Sequence, residues 1–316
     1  MSRAISGSLR QRLRFGAVVG ALALVFAAGA KADDPIYLPW PSLLPSLLTT
    51  PYDPTSSGPC RNGSPKCVDQ TVAEMERSFD QLAADCSHEA IFSLSYLRVT
   101  QMYEQTVSSD PNFFDNTPFV NHEDAIFAGY YFQAFDNWYG GRPSRVPPAW
   151  QIAFAAADSD RVSGSGDLML GINAHVNRDL PFVLASMGLF NADGSSRKPD
   201  HDKVNVILNK VEGPILAEAS RRFDSSILDP TTNGTTLDET SLFQELSAWR
   251  EEAWRNAERL AAATTDAQRA HVAQSIENAA ALEAQTIVAA FSYVPPLTTT
   301  KTRDAYCAQH WDDQYP

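Results

Sequence analysis

A chain of 316 residues, 44% hydrophobic and 20% charged, has ordinary globular composition and enough apolar mass for a sizeable core. Its formal net charge of −13 repels phosphate backbones, which argues against nucleic acid as a partner. The same acidity also serves solubility, the commoner reason for it.

The N-terminus reads as an export signal. Arg10-Gln11-Arg12-Leu13-Arg14 is a positive leader, and Phe15 to Ala28 is an apolar run too short to span a bilayer comfortably. Small residues at Ala28-Gly29-Ala30 and Ala30-Lys31-Ala32 fit a cleavage site, with cleavage expected after Ala32. The expectation is a signal peptide over 1–32, a secreted or extracytoplasmic protein, and no transmembrane segment after processing. Cysteine usage agrees. The four cysteines suit two disulfides in an oxidising compartment. Cys60 and Cys67 flank a turn-rich stretch and are expected to pair, leaving Cys86 with Cys307.

Residues 33–59 carry Pro35, Pro39, Pro41, Pro45, Pro51, Pro54 and Pro59 among many leucines and aromatics. Proline removes amide donors and restricts its neighbour, so this stretch reads as an extended arm lying on the domain. From Val68 the apolar period becomes helical: Val68, Val72, Met75, Phe79 and Leu82. Ser87 is expected to cap a second helix and Asn121 a third, whose inner face carries Phe127, Tyr130, Tyr131, Phe135 and Trp138. That aromatic run reads as core. A fourth helix follows Pro147-Pro148, a fifth runs from about Gly166 to Gly188, and a sixth starts at Asp200 and meets Pro214. Two long helices close the domain, at roughly 238–263 and 265–291. No alternating strand pattern appears. The fold class predicted is all-α: a single helical-bundle domain of about eight helices over 60–291, followed by a tail, 292–316, tied back by a disulfide.

The fifth helix carries the chemistry. Leu168, Ile172, His175, Asp179, Phe182 and Ser186 form one stripe, so His175 and Asp179 share a face that is otherwise apolar. Asn173 and Asn177 form a second pair, four apart. Burying such groups unpaired costs roughly 1–3 kcal/mol each, so partners are required. Pro181 cannot donate to the Asn177 carbonyl and is expected to kink the helix there. An i,i+4 His and carboxylate can ligate one divalent transition metal (zinc, iron or manganese), with His122 and Asp124, or His88 and His201, supplying further ligands and Asn173, Asn177 or Arg98 behind them. The spacing is similar to part of the pattern in zinc-dependent phospholipase C and the P1-type nucleases, a likeness confined to those two residues. The competing reading is a buried network that specifies helix packing, with Asp179 paired to Arg178 or Arg98.

Four stretches carry a broader resemblance: Cys86 to Thr100, Asn121 to Phe127, Leu170 to Pro181 with its Asn-Ala-His-x-Asn-x-Asp-Leu-Pro core, and Asp200 to Asn205. They resemble an uncharacterised family of helical bacterial proteins, mainly actinobacterial, known as a domain of unknown function. The resemblance implies one helical domain that brings the four polar segments together, and it implies no reaction. Two functional classes follow from the residues: a secreted metal-dependent hydrolase of a small ester or phosphoester, with a small-molecule ligand, or a non-catalytic secreted or envelope-associated binding or structural protein whose polar cluster is a packing network.

Overall fold

Val68, Val72, Met75, Phe79 and Leu82 are all buried, and the helix they stripe, α1, runs Pro65–Ala84. The computed structural model describes residues 51–228, 239–295 and 298–315. The expected signal peptide and most of the Pro-rich arm lie outside them. The fold is all-α, about 75% helix, and no strand is present among the described residues.

Helix α2, Ala90–Ser109, begins three residues after Ser87, whose hydroxyl instead accepts the Glu89 amide in the preceding turn. Helix α3, Thr117–Tyr139, begins a turn before the expected cap. Asn116 is the cap, its side chain accepting the Phe119 amide, and Pro118 sits in the first turn where its missing amide costs nothing. Asn121 is therefore inside the helix and buried, accepting the Tyr103 hydroxyl at 2.6 Å and donating to the Gly63 carbonyl at 2.8 Å. Helix α4 is Pro148–Asp158.

The central rod follows. Helix α5, Gly164–Ile172, runs into a π-helical segment, Asn173–Asp179, and on into α6, Leu180–Met187. Almost every residue of this rod is buried. Pro181 explains the wide turn. It cannot donate to the Asn177 carbonyl, and a π-turn just upstream absorbs the mismatch where a sharp kink was expected. Helices α2 and α9 (Asp266–Phe291) pack on α5, and α3, α4, α8 (Glu239–Ala262) and α9 pack on the π segment. Helix α7, Lys198–Arg222, continues through Pro214 and packs on α2 and α8. Its Asp200 ties the helix start to the turn before α3, accepting the amides of Asp115 and Asn116 at 2.7 and 3.0 Å. Thr265 and Gln268 form a reciprocal capping box at the start of α9.

The tail contains a helix the sequence pattern does not announce, α10, Lys301–His310. Only Arg303 and Cys307 of it are buried, so it has no apolar stripe to read. Cys307 is bonded to Cys86, and Cys60 to Cys67, as expected.

Candidate functional site

His175, inside the π segment, and Asp179, at its C-terminal end, meet on one face. His175 Nδ1 lies 3.1 Å from Asp179 Oδ2. Both Asp179 oxygens are already acceptors: Arg178 Nη1 donates to Oδ1 at 2.8 Å and Trp150 Nε1 donates to Oδ2 at 2.8 Å. The ring nitrogen facing Oδ2 is therefore the one that carries the proton, which leaves Nε2 of the neutral ring with a lone pair. Arg178 is held in turn by Glu277 of α9, its Nε and Nη2 donating to one carboxylate oxygen at 2.9 and 2.7 Å. The whole chain of contacts is buried, Asp179 at 0% and Arg178 at 1% exposure.

Aromatic rings fix the imidazole plane. Phe127 stacks on it with centroids 3.6 Å apart and planes 8° apart, and Tyr96 lies 4.5 Å away at a tilt. Phe92 and Trp150 stand further out, at 6.1 and 6.0 Å. Burial pushes the His175 pKa below its ordinary 6.5, and the bond to Asp179 pulls partly the other way.

His175 Nε2 is buried and makes no hydrogen bond. It lines a cavity of about 120 Å³ between α2, α3, the rod, α7 and α8. The walls are mainly apolar, with Phe92, Val99, Phe127, Ile172, Leu208 and Leu246 among them. Besides His175, its polar lining is Ser95, Tyr96, Thr100, Tyr103, Glu123, Asp124 and Arg250. The Tyr96 hydroxyl and Asp124 Oδ2 are, like His175 Nε2, buried atoms without a partner. Desolvation raises Glu123 and Asp124 to about 7, and in Asp124 the like charge of Glu123 adds to it. Arg250 is turned to other work, donating to Asn205 Oδ1 at 2.8 Å and to the His201 carbonyl at 2.6 Å.

A family model for a family of unknown function, DUF5995, matches residues 68–290. The chain belongs to that family. The matched span contains the whole rod and every wall of the cavity in this DUF5995 chain. No curated protein and no solved structure matches it.

Of the residues singled out in the sequence, His175, Asp179 and Asp124 gather here, and Asn173 and Asn177 pair as expected. Asn173 spends its amide on the Ala280 carbonyl of α9 and so locks the rod rather than the imidazole. The others do not converge. His122 Nδ1 donates to the Cys60 carbonyl at 2.6 Å, beside Tyr52. His201 is held by Arg250, on the far side of that residue. His88 Nδ1 accepts a hydrogen bond from Arg303 of α10 at 2.8 Å, and its Nε2 faces Asp304 at 3.1 Å, next to Asp167. Arg98 pairs with Glu218 of α7 at 2.7 Å on both nitrogens. Among the described residues, no three or more His, Cys, Asp or Glu side chains are grouped to hold a metal ion. The expected ligand set is thus dispersed, because polar helix starts that lie close in sequence pattern are spent on separate helix junctions.

Tyr96, Phe92, Trp150, Glu123, Arg250 and Glu277 are the site residues that sequence reading passes over. Tyr96 and Phe92 lie inside the first family-like stretch and Glu123 inside the second. Glu277 gave no signal, because it sits on a long helix of mixed charge.

Proposed function

We propose that this DUF5995 protein binds a small, largely apolar molecule in the α2–α3–α7–α8 cavity and that His175, backed by Asp179, is the acid–base group that meets it. The observation that carries this reading is the unpartnered Nε2, placed in a cavity and oriented from behind by a carboxylate with fixed partners. A base whose second nitrogen is held by an oriented acceptor is the arrangement that proton abstraction or nucleophile activation needs. An apolar cavity with a few convergent polar groups is where ligands bind. A volume near 120 Å³ approaches that of cavities known to hold benzene-sized molecules.

Export belongs to the same proposal. A leader removed after Ala32 would carry the chain to an oxidising compartment, where its two disulfides form. Among the described residues no helix is long and apolar enough to cross a membrane. N-terminal sequencing of protein recovered outside the cytoplasm should begin at Asp33.

The binding claim is tested by ligand-observed NMR with a panel of benzene-sized fragments. Fragments should bind the native chain and be displaced in Val204→Trp, which fills the half-buried wall of the cavity. Binding that survives Val204→Trp would place the site elsewhere.

A further inference from the structure

We infer that the ligand of this cavity is a small organic amine, bound as its ammonium form with its apolar body against the aromatic wall. This rests on the reading of the cavity as a small-molecule site and names the class of molecule.

The first reason is the sign of the open hydrogen-bonding positions. His175 Nε2, in the tautomer that Asp179 imposes, accepts and does not donate. Asp124 Oδ2 is an acceptor when ionised. Both atoms are buried and unpartnered, and the third such atom in the lining, the Tyr96 hydroxyl, can accept as well as donate. A ligand that satisfies both acceptors must bring at least two donors. An ammonium brings up to three on one nitrogen, whereas a hydroxyl brings one.

Charge is the second reason. Glu123 and Asp124 are neighbours in the chain and line the same cavity, and Glu123 raises the cost of ionising Asp124. A cation between them relieves that cost. Glu123 also faces Arg250 of α8, and Arg197 and Asp200 around the start of α7, while Asp124 faces Glu123. Arg250 is the cationic side chain in the lining, and it is anchored on Asn205 and the His201 carbonyl. An anionic ligand such as a phosphoester would meet two carboxyls for one committed guanidinium.

The third reason is the wall. Phe92, Tyr96, Tyr103 and Phe127 present aromatic surface to the cavity. Aromatic faces attract ammonium groups and accept an apolar body equally well. Aromatic rings, a carboxylate and an unpartnered imidazole nitrogen together make an amine cage.

The probes are benzylamine, benzyl alcohol and benzoate, which share a ring and differ in the polar group. Calorimetric titration at pH 8 should show benzylamine binding at least about tenfold more tightly than benzyl alcohol, with benzoate not binding. Asp124→Asn, which keeps the shape, should remove that preference, and Glu123→Gln should weaken it. Lowering the pH from 8 to 6 should weaken benzylamine and leave benzyl alcohol unchanged, because Asp124 and Glu123, at about 7, take up protons over that range. Thermal melts of both variants near the native value exclude a folding defect as the cause. Equal affinity for amine and alcohol, or a preference that survives Asp124→Asn, overturns the amine assignment while leaving the small-molecule site in place. Failure of all three probes and of the fragment panel to bind overturns both.

Discussion

Phe127 lies flat on the His175 imidazole, 3.6 Å between ring centres, so a residue of α3 decides which way a nitrogen of the central rod points. The stack and the bond to Asp179 fix the ring from two directions. Phe127→Ala removes one of them. Phe127 is half-buried, so the expected loss of stability is about 2 kcal/mol, below the 3–5 kcal/mol of a fully buried phenylalanine. The imidazole should also lose its single orientation. Urea denaturation measures the first effect; a loss under 0.5 kcal/mol, on the order of an ordinary surface change, would mean the stack contributes nothing.

Gly171 tests how tightly the rod meets α2. A Cβ at Gly171 would stand 2.2 Å from Phe92 Cγ and 2.7 Å from Phe92 Cβ, the stiff root of that side chain. Replacing a helical glycine by alanine favours the helix by about 1 kcal/mol, but overpacking a filled core costs about 1–3 kcal/mol. The contact is near the ring's root, so the second effect should win and Gly171→Ala should lower the melting temperature. Phe92 also walls the cavity, so the same change should weaken ligand binding. A more stable Gly171→Ala protein would show that Phe92 yields freely.

Glu277 holds Arg178, which holds Asp179. Glu277→Ala leaves a fully buried guanidinium with one carboxylate partner in place of two. Breaking one side of a buried pair costs about 3–5 kcal/mol, mainly because the remaining charge is stranded. Chemical denaturation should show a loss of that size. Glu277→Gln, which keeps an oxygen for Arg178, should cost less. Equal and small losses in both would mean the rod does not depend on this pair.

The pH dependence of stability follows from which groups burial keeps neutral. Glu89 is raised to about 8, mainly by desolvation, and Glu123, Asp124 and Asp167 to about 7. A carboxyl with a raised folded pKa favours the folded state most fully below its unfolded value, near 4, and that contribution is lost as pH rises through the folded value. His88, His175 and His201 are shifted down by desolvation, so the folded state loses stability as pH falls below about 6.5. Above 6.5 only the carboxyls remain in play, and stability should decline from pH 6.5 to 8.5. Glu89→Gln should flatten the upper part of that decline. Stability that rises with pH across this window in the native chain would contradict the assignment.

The all-α class and both disulfides were legible because each rests on a strong local signal: the three-four apolar period of α1, and the turn between Cys60 and Cys67. Pairing His175 with Asp179 was legible for the same reason, since four residues on a helix share a face. The π segment was not, because Pro181 says only that one hydrogen bond is lost and a kink and a wide turn both solve that. Asn121 reads as a cap in the sequence, but Asn116, followed by Thr117-Pro118, gives an equally good start one turn earlier and is the cap. The metal set failed on a more general point. Histidines at helix starts are as well suited to tying helices together as to binding ions, and only the packing shows that His88 serves α10 and His201 serves α8.

The central claim is that His175 presents an unprotonated Nε2 to a ligand cavity, and long-range proton–nitrogen NMR of histidine-labelled protein reads that nitrogen directly. At pH 6.5 the account predicts a neutral ring with its proton on Nδ1, and an Nε2 resonance that moves when benzylamine is added. A charged ring at that pH, a proton on Nε2, or an Nε2 resonance indifferent to every fragment that binds would contradict it.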